Sequence, residues 1–208
     1  MLVGDSSSLL AHKEDKTSSP LFGDAGCATA FEFQKGKNIN FKLWTDGAGF
    51  KSIMIPDGGY RNRFSEESLS LIEDTDGSKR TKVNPNMNGT DVFSFGITQV
   101  PRVVKSFLQQ INKDVSEIDY FLFHQANKFM LEMIRKKIKL ESSQVPYSMM
   151  KYGNTSSASI PLTLSLIGDE VRNKKIAMCG FGIGLSIGCG YFEIGDVFIN
   201  EFIEYEGS

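Results

Sequence analysis

An α/β layered core is the architecture this 208-residue sequence predicts, and three observations carry that prediction. Apolar residues recur at three- and four-residue intervals from Asp91 to Ile111 and again from Asn127 to Leu140, the spacing of one buried helix face. Short continuous apolar runs, IDYFLFH (118–124), KKIAMCGF (174–181) and LSIGCGYFEI (185–194), read as strands buried in a sheet. Helix and strand signals alternate along the chain, the order from which layered α/β domains are built.

Taken in order, Leu2-Val3-Gly4 reads as the end of a strand, so that the chain opens mid-fold. AGCATAFEF (25–33) carries the small residues of a second strand, buried or at an interface. Residues 34–90 read as an irregular, functional loop region, with turns at Asp57-Gly58-Gly59 and Asp76-Gly77. Phe41, Leu43, Trp44 and Ile53-Met54-Ile55 anchor it and argue against disorder. Phe93, Ile97, Val100, Val104, Phe107, Leu108 and Ile111 form the stripe of the first helix, which Pro101 should kink or divide. Asn127 is placed to cap a second helix that turns Met130, Leu131, Ile134 and Ile138 inward. A further helix fits 156–168, opened by Ser156-Ser157 and carrying Ile160, Leu162, Leu164, Leu166 and Ile167. Gly182-Ile183-Gly184 joins the last two strands, and the acidic tail EIGDVFINEFIEYEGS (193–208) alternates enough for an edge strand, otherwise lying in solvent.

Composition narrows the function classes. Forty per cent hydrophobic and 23 per cent charged residues are ordinary for a globular domain with a core. A net charge of −2 provides no basic stripe for nucleic acid, and no run of eighteen apolar residues suggests a membrane span. The N-terminal residues lack a secretory signal pattern. Three cysteines, Cys27, Cys179 and Cys189, without CxxC spacing indicate neither a disulfide framework nor a zinc site, which fits the cytoplasm.

Two polar clusters carry the chemistry. FLFHQAN (121–127) delivers His124, one of two histidines, from an apolar run into a polar corner. Its plain reading is a buried histidine ending a strand. Gly153-Asn154-Thr155-Ser156 is a turn-and-cap cluster, plainly read as satisfying backbone groups. Both clusters lie at the ends of apolar runs just before helices, where open α/β sheets gather ligands, so two side chains can converge on one substrate atom.

HQAN (124–127), GNTSSASIPL (153–162) and GFGIG (180–184) closely resemble, in order, three motifs of the β-ketoacyl-acyl-carrier-protein synthase III family. LFGDAGCATAFEF (21–33), TDGAGFKSIMIPDGGYRN (45–62) and MNGTDVFSFGITQVP (87–101) also look like family segments. The resemblance implies a thiolase-like fold, with 1–33 the last strands of an incomplete N-terminal half, 34–90 a connecting and substrate-loop region, and 91–208 the C-terminal half. It implies an acyltransferase of fatty acid biosynthesis, needing no cofactor, that condenses an acyl thioester with a malonyl-carrier protein as CO2 leaves. Acyl-CoA and acyl carrier protein are the implied partners, and the complete enzyme an implied homodimer. By motif match His124 and Asn154 stabilise the enolate oxygen, the imidazole being kept neutral by its apolar strand. Phe181 borders the acyl pocket, and the Gly182–Ile183 turn offers a backbone N–H to the second oxyanion, with Ile183 where the family has glycine. Gly89, Phe93 and Asn127 resemble positions lining a pantetheine tunnel, with Thr90 replacing a common asparagine. Lys128-Phe129 replaces a pair that contains a carrier-docking arginine, and Arg135, Lys136, Lys137 and Lys139 supply other cations for an acidic carrier.

The family's nucleophile is a cysteine at a buried helix N-terminus, where the helix dipole favours thiolate. All three cysteines here read instead as small buried hydrophobes in strands. The nucleophile is therefore expected outside this sequence, and the chain alone is expected to perform no condensation. A truncated chain, a subunit completed by a separate N-terminal polypeptide and a degenerate homologue all fit. A non-catalytic dimerisation or acyl-binding subunit, or a piece of an acyltransferase that does not decarboxylate, are the rival functions. GLSIG (184–188) has the GxSxG pattern of a serine hydrolase but sits in strand-like sequence with no later histidine. GFGIGLSIG lacks the third glycine and the helix of a dinucleotide site.

Overall fold

The structure, a computed structural model, describes residues 1–205. Its elements run β1 (Leu2–Ser6), β2 (Asp24–Ala28), β3 (Asn40–Thr45), β4 (Ile53–Met54), β5 (Ile72–Glu73), β6 (Lys79–Arg80), β7 (Asn86–Met87) and α1 (Gly89–Gln110). They continue with β8 (Tyr120–Phe123), α2 (Lys128–Ile138), α3 (Met149–Tyr152), α4 (Ser159–Ile167), β9 (Lys175–Gly182) and β10 (Ser186–Glu193), with short 3-10 turns between. The main sheet has strand order β3-β10-β9-β8, with β8 parallel to β9 and the other pairs antiparallel.

Strand periodicity divides the core into two layers. Along β8, Phe121 and Phe123 join the cluster packed by α1 and α2, whereas Leu122 joins Val171 and Ile176 beneath α4. Along β9, Ala177, Cys179 and Phe181 face the first layer, and Ile176 and Met178 the second. Phe107, Phe121, Leu131 and Ile134 are at most 1 % exposed. Each contributes about 1.5–3 kcal/mol of transfer free energy.

Several sequence expectations are corrected. Pro101 neither ends nor divides α1, which runs unbroken from Gly89 to Gln110. Proline removes the N–H that would bond the carbonyl four residues back, that of Ile97, and the Lys137 Nζ from α2 donates to this carbonyl instead at 2.9 Å. The strand expected over 25–33 stops at Ala28, leaving Phe31 and Phe33 exposed. The 34–90 stretch is less irregular than expected, because β3 lies within it and forms the edge of the main sheet. Phe41 and Leu43 are exposed there rather than anchoring, while Trp44 packs on the core and stacks with Phe95 at 6.1 Å. The expected helix 156–168 begins as a 3-10 turn, Ser156–Ala158, and becomes helical at Ser159. The tail adds no edge strand through residue 205, residues 206–208 lying outside the described part. Nor is it simply solvated: Ile194, Val197 and Ile199 pack on the second core cluster, and Phe202 meets Tyr152 at 4.9 Å.

Candidate active site

The sheet brings His124 to its place. Its backbone N–H donates to the Cys179 carbonyl at 2.9 Å, carrying the β8–β9 ladder one residue past the strand end before the chain turns into α2. Its ring meets Phe181 edge to face, with centroids 5.3 Å apart, and its Nδ1 lies 2.9 Å from the Ser159 hydroxyl. Burial pushes its pKa down from the usual 6.5 to about 4, against a weaker opposing effect of the Ser156 backbone. The imidazole is therefore neutral at pH 7.

Asn154 is set by a close backbone junction. Its N–H donates to the Leu21 carbonyl at 2.8 Å and its own carbonyl accepts from Gly23 at 3.0 Å, forming a bridge with Phe22. This approach demands glycine on both sides. A Cβ on Gly23 would fall 1.8 Å from the Tyr152 carbonyl oxygen, and one on Gly153, at φ 66°, 2.9 Å from that of Leu21. Ser156 then takes a left-handed conformation, φ 51°, and its N–H returns to the Asn154 Oδ1 at 2.9 Å. An N–H can only donate, so the atom it meets is the amide oxygen, and Nδ2 is left free among the described residues to donate elsewhere.

His124 and Asn154 line one cavity of about 640 Å³. The other residues expected at the site, Gly89, Phe93, Asn127, Phe181, Gly182 and Ile183, line it as well. Gly89 opens α1 behind its cap Asn88, and Phe93 stacks on Phe129 at 5.5 Å. Asn127 caps α2, its side-chain oxygen accepting from Met130 N–H at 2.8 Å. Ile183 forms the exposed turn after β9. Most of the lining is apolar, with a few polar groups around His124 and Asn154, the make-up of a small-molecule site. Leu21, Phe22 and Ser159 also line the cavity and were not singled out from the sequence. The glycine of LFGDAG was the available sign of the Gly23 junction; nothing local marks Ser159.

Each cysteine lies within a strand, Cys27 in β2, Cys179 in β9 and Cys189 in β10. Burial pushes the Cys27 thiol up, while the Cys189 thiol and burial push Cys179 up. Ser186 of the GxSxG pattern sits in β10 against the Thr45 hydroxyl at 3.0 Å, so no nucleophile elbow forms. Among the described residues no group of three His, Cys, Asp or Glu side chains is placed to hold a metal, and no helix is long and apolar enough to cross a membrane. The cations of α2 are partly committed. Arg135 binds Glu132 and the Leu140 carbonyl, and Lys137 binds Ile97, leaving Lys136 and Lys139 without such bonds among the described residues.

Residues 108–194 match the family described as 3-oxoacyl-[acyl-carrier-protein (ACP)] synthase III C terminal. The chain is 30% identical over 210 residues to a putative 3-oxoacyl-[acyl-carrier-protein] synthase 3 of Campylobacter jejuni, covering 99% of this chain and 58% of the relative. It is 33% identical over 187 residues to a β-ketoacyl-[acyl-carrier-protein] synthase III of Microcystis aeruginosa, covering 88% and 54%. A crystal structure of 3-oxoacyl-(acyl-carrier protein) synthase from Burkholderia xenovorans superimposes with a TM-score of 0.82 at 34% identity, over 93% of this chain and 55% of that one. The chain thus spans a little over half the length of the relatives it matches.

Proposed function

Because the chain belongs to the β-ketoacyl-acyl-carrier-protein synthase III family, with its thiolase-like fold, we propose that it supplies the decarboxylating half of a condensing site. The substrate is a malonyl thioester, carried by an acyl carrier protein, and the acyl partner comes from acyl-CoA. Its thioester oxygen sits between the His124 Nε2–H and the Asn154 Nδ2–H. When the carbon–carboxylate bond breaks, its electron pair becomes the C=C bond of the enolate and the carbonyl pair moves onto the thioester oxygen as CO2 leaves. The two donors meet the charge on that oxygen as it develops. The enolate carbon then attacks the carbonyl carbon of the acyl thioester, and as the new carbon–carbon bond forms the carbon–sulfur bond breaks and the acyl-carrying thiolate leaves. Phe181 and Phe93 wall the apolar cavity, and the Gly182–Ile183 backbone serves the second oxyanion.

One observation carries this reading. Two side chains from separate elements, a neutral imidazole and an amide whose oxygen is already occupied, line the same apolar cavity. The test is CO2 release from malonyl-CoA. His124→Ala should lower its rate on the order of 10²-fold or more, the usual loss when an oxyanion donor is removed. Unchanged release in that variant contradicts the reading.

The acyl-carrying thiol, on this reading, is none of the three cysteines, because all three lie within strands rather than at a helix N-terminus. Burial also pushes the Cys27 thiol up, and the Cys189 thiol together with burial pushes Cys179 up. Incubation with acyl-CoA should leave no covalent acyl adduct by mass spectrometry; stable acylation of any cysteine contradicts this. The apolar side chains left exposed on β1 and β3, Leu2, Phe41 and Leu43, with Phe31 and Phe33 beyond β2, support further protein surface over parts of this region. A nucleophile-bearing half, a separate subunit or the homodimer of the complete enzyme would supply it. The same exposure favours the second reading, a non-catalytic partner subunit, which the His124→Ala measurement separates from the first.

A further inference from the structure

We propose that the Ser159 hydroxyl is the positioning group that holds His124 in the tautomer with its proton on Nε2, an inference that rests on the enolate-stabilising role just described. Ser159 is the first residue of α4, 1 % exposed, with its hydroxyl oxygen 2.9 Å from His124 Nδ1. Two proton arrangements fit that distance: Nδ1–H donates to the serine, or the serine donates to a bare Nδ1.

Counting protons decides between them. Ser159 has one hydroxyl proton, and no other partner for its hydroxyl is present among the described residues. If Nδ1 carried the proton, the serine proton would have no protein acceptor among the described residues and would point into the mainly apolar cavity, at a cost of the order of the bond itself. Donation from Ser159 to Nδ1 satisfies both groups and leaves the ring proton on Nε2. Such a proton is what a donor to the thioester oxygen requires.

The serine is itself fixed by a buried chain of directed hydrogen bonds. The Thr163 hydroxyl donates to the Ser159 carbonyl at 2.7 Å, so the Ser148 hydroxyl, 2.8 Å from Thr163 Oγ1, must donate to it. The Ser148 N–H donates to the Gln125 Oε1 at 2.9 Å, and the Gln125 Nε2 donates to the Phe123 carbonyl at 2.9 Å. Gln125 follows His124 directly, and Ser148 precedes α3, whose last residue, Tyr152, is followed by Gly153-Asn154. Gln125, Ser148, Ser159 and Thr163 are each no more than 3 % exposed. The chain therefore ties the start of α4 to the strand end that carries His124 and to the helix that leads to Asn154.

The chain has only two histidines, so ring-nitrogen NMR on ¹⁵N-histidine-labelled protein reads the tautomer directly, with His12→Gln assigning the signals. At neutral pH His124 should show a protonated Nε2 and a bare Nδ1. Ser159→Ala should raise the fraction with Nδ1 protonated, and Ser159→Thr, which keeps the hydroxyl, should restore the native pattern. In CO2 release Ser159→Ala should lower kcat about tenfold with little change in KM, as expected for one lost orienting bond. A protonated Nδ1 in the unmodified protein overturns the proposal even if the alanine variant fails to fold. So does an unchanged tautomer ratio in a folded Ser159→Ala protein. If the tautomer responds as stated while no CO2 is released, the positioning stands and the enzymatic reading falls.

Discussion

Residues 1–90 and the layers that follow invert each other's chemistry. From Phe95 onward the buried core is mainly apolar, built on side chains such as Val100, Phe107, Leu122 and Ile176. Before it, the buried side chains are polar, among them Asp15, Ser18, Ser68 and Arg80, while Leu2 and Phe33 are 84 % and 90 % exposed. The later layers are held by apolar burial. The earlier region is held by directed bonds: Asp15 accepts from Thr17 and Ser18, and Arg80 reaches Asp15 at 3.4 Å and Asp74 at 2.9 Å. The candidate site lies where the two meet, with Leu21-Phe22-Gly23 from the first region seating Asn154 of the second. Rigid placement of one donor by apolar packing and of the other by a backbone junction is what this difference teaches.

The comparison breaks most visibly in the core. Leu122→Ala should cost about 2–5 kcal/mol of global stability in chemical denaturation, because a fully buried side chain leaves a cavity. A loss below about 1 kcal/mol would remove the distinction between the regions. Next comes Arg80→Ala, which strips Asp15 of its ion pair. It should cost about 2–3 kcal/mol, seen by hydrogen exchange as faster exchange confined to residues 1–90. Equal deprotection of α1 and α2 would contradict a separately held region.

Acid sharpens the contrast. His124 has a folded pKa below its unfolded one, so its neutral form is favoured by folding. Stability from this source is complete above about 6.5 and is lost as pH falls toward 4. At Asp15 burial raises the pKa, but the Thr17 and Ser18 bonds with Arg80 outweigh it and hold the carboxyl below its usual value. Its contribution is therefore lost only at lower pH, as protonation passes through the ordinary carboxylate range and below. Stability should fall in two steps, the later layers first, and His124→Gln should abolish only the first. The smallest effect belongs to the tail. Glu204 pairs with Lys151 at the surface, and Glu204→Gln should leave the denaturation midpoint nearly unchanged.

The later layers were the legible part of the sequence because periodicity records which face is buried. The stripe of α1, the Asn127 cap and the β9–β10 pair all stand where spacing puts them. Residues 1–90 were less legible because hydrogen-bonded loops leave no such period, and β3 hides among Gly, Asn and Asp with Phe41 and Leu43 turned outward and Trp44 alone packed on the core. Pro101 misled because the group that replaces its bond, Lys137, lies on another helix. All eight residues singled out line one cavity, yet the Gly23 junction and Ser159 depend on contacts across more than thirty or a hundred positions, which no local motif records.

A crystal structure with a malonyl thioester analogue that cannot lose CO2 tests the convergence of the two donors most directly. The account predicts its thioester oxygen about 3 Å from both His124 Nε2 and Asn154 Nδ2. An oxygen held by neither, or by one while the other points away from the ligand, contradicts it.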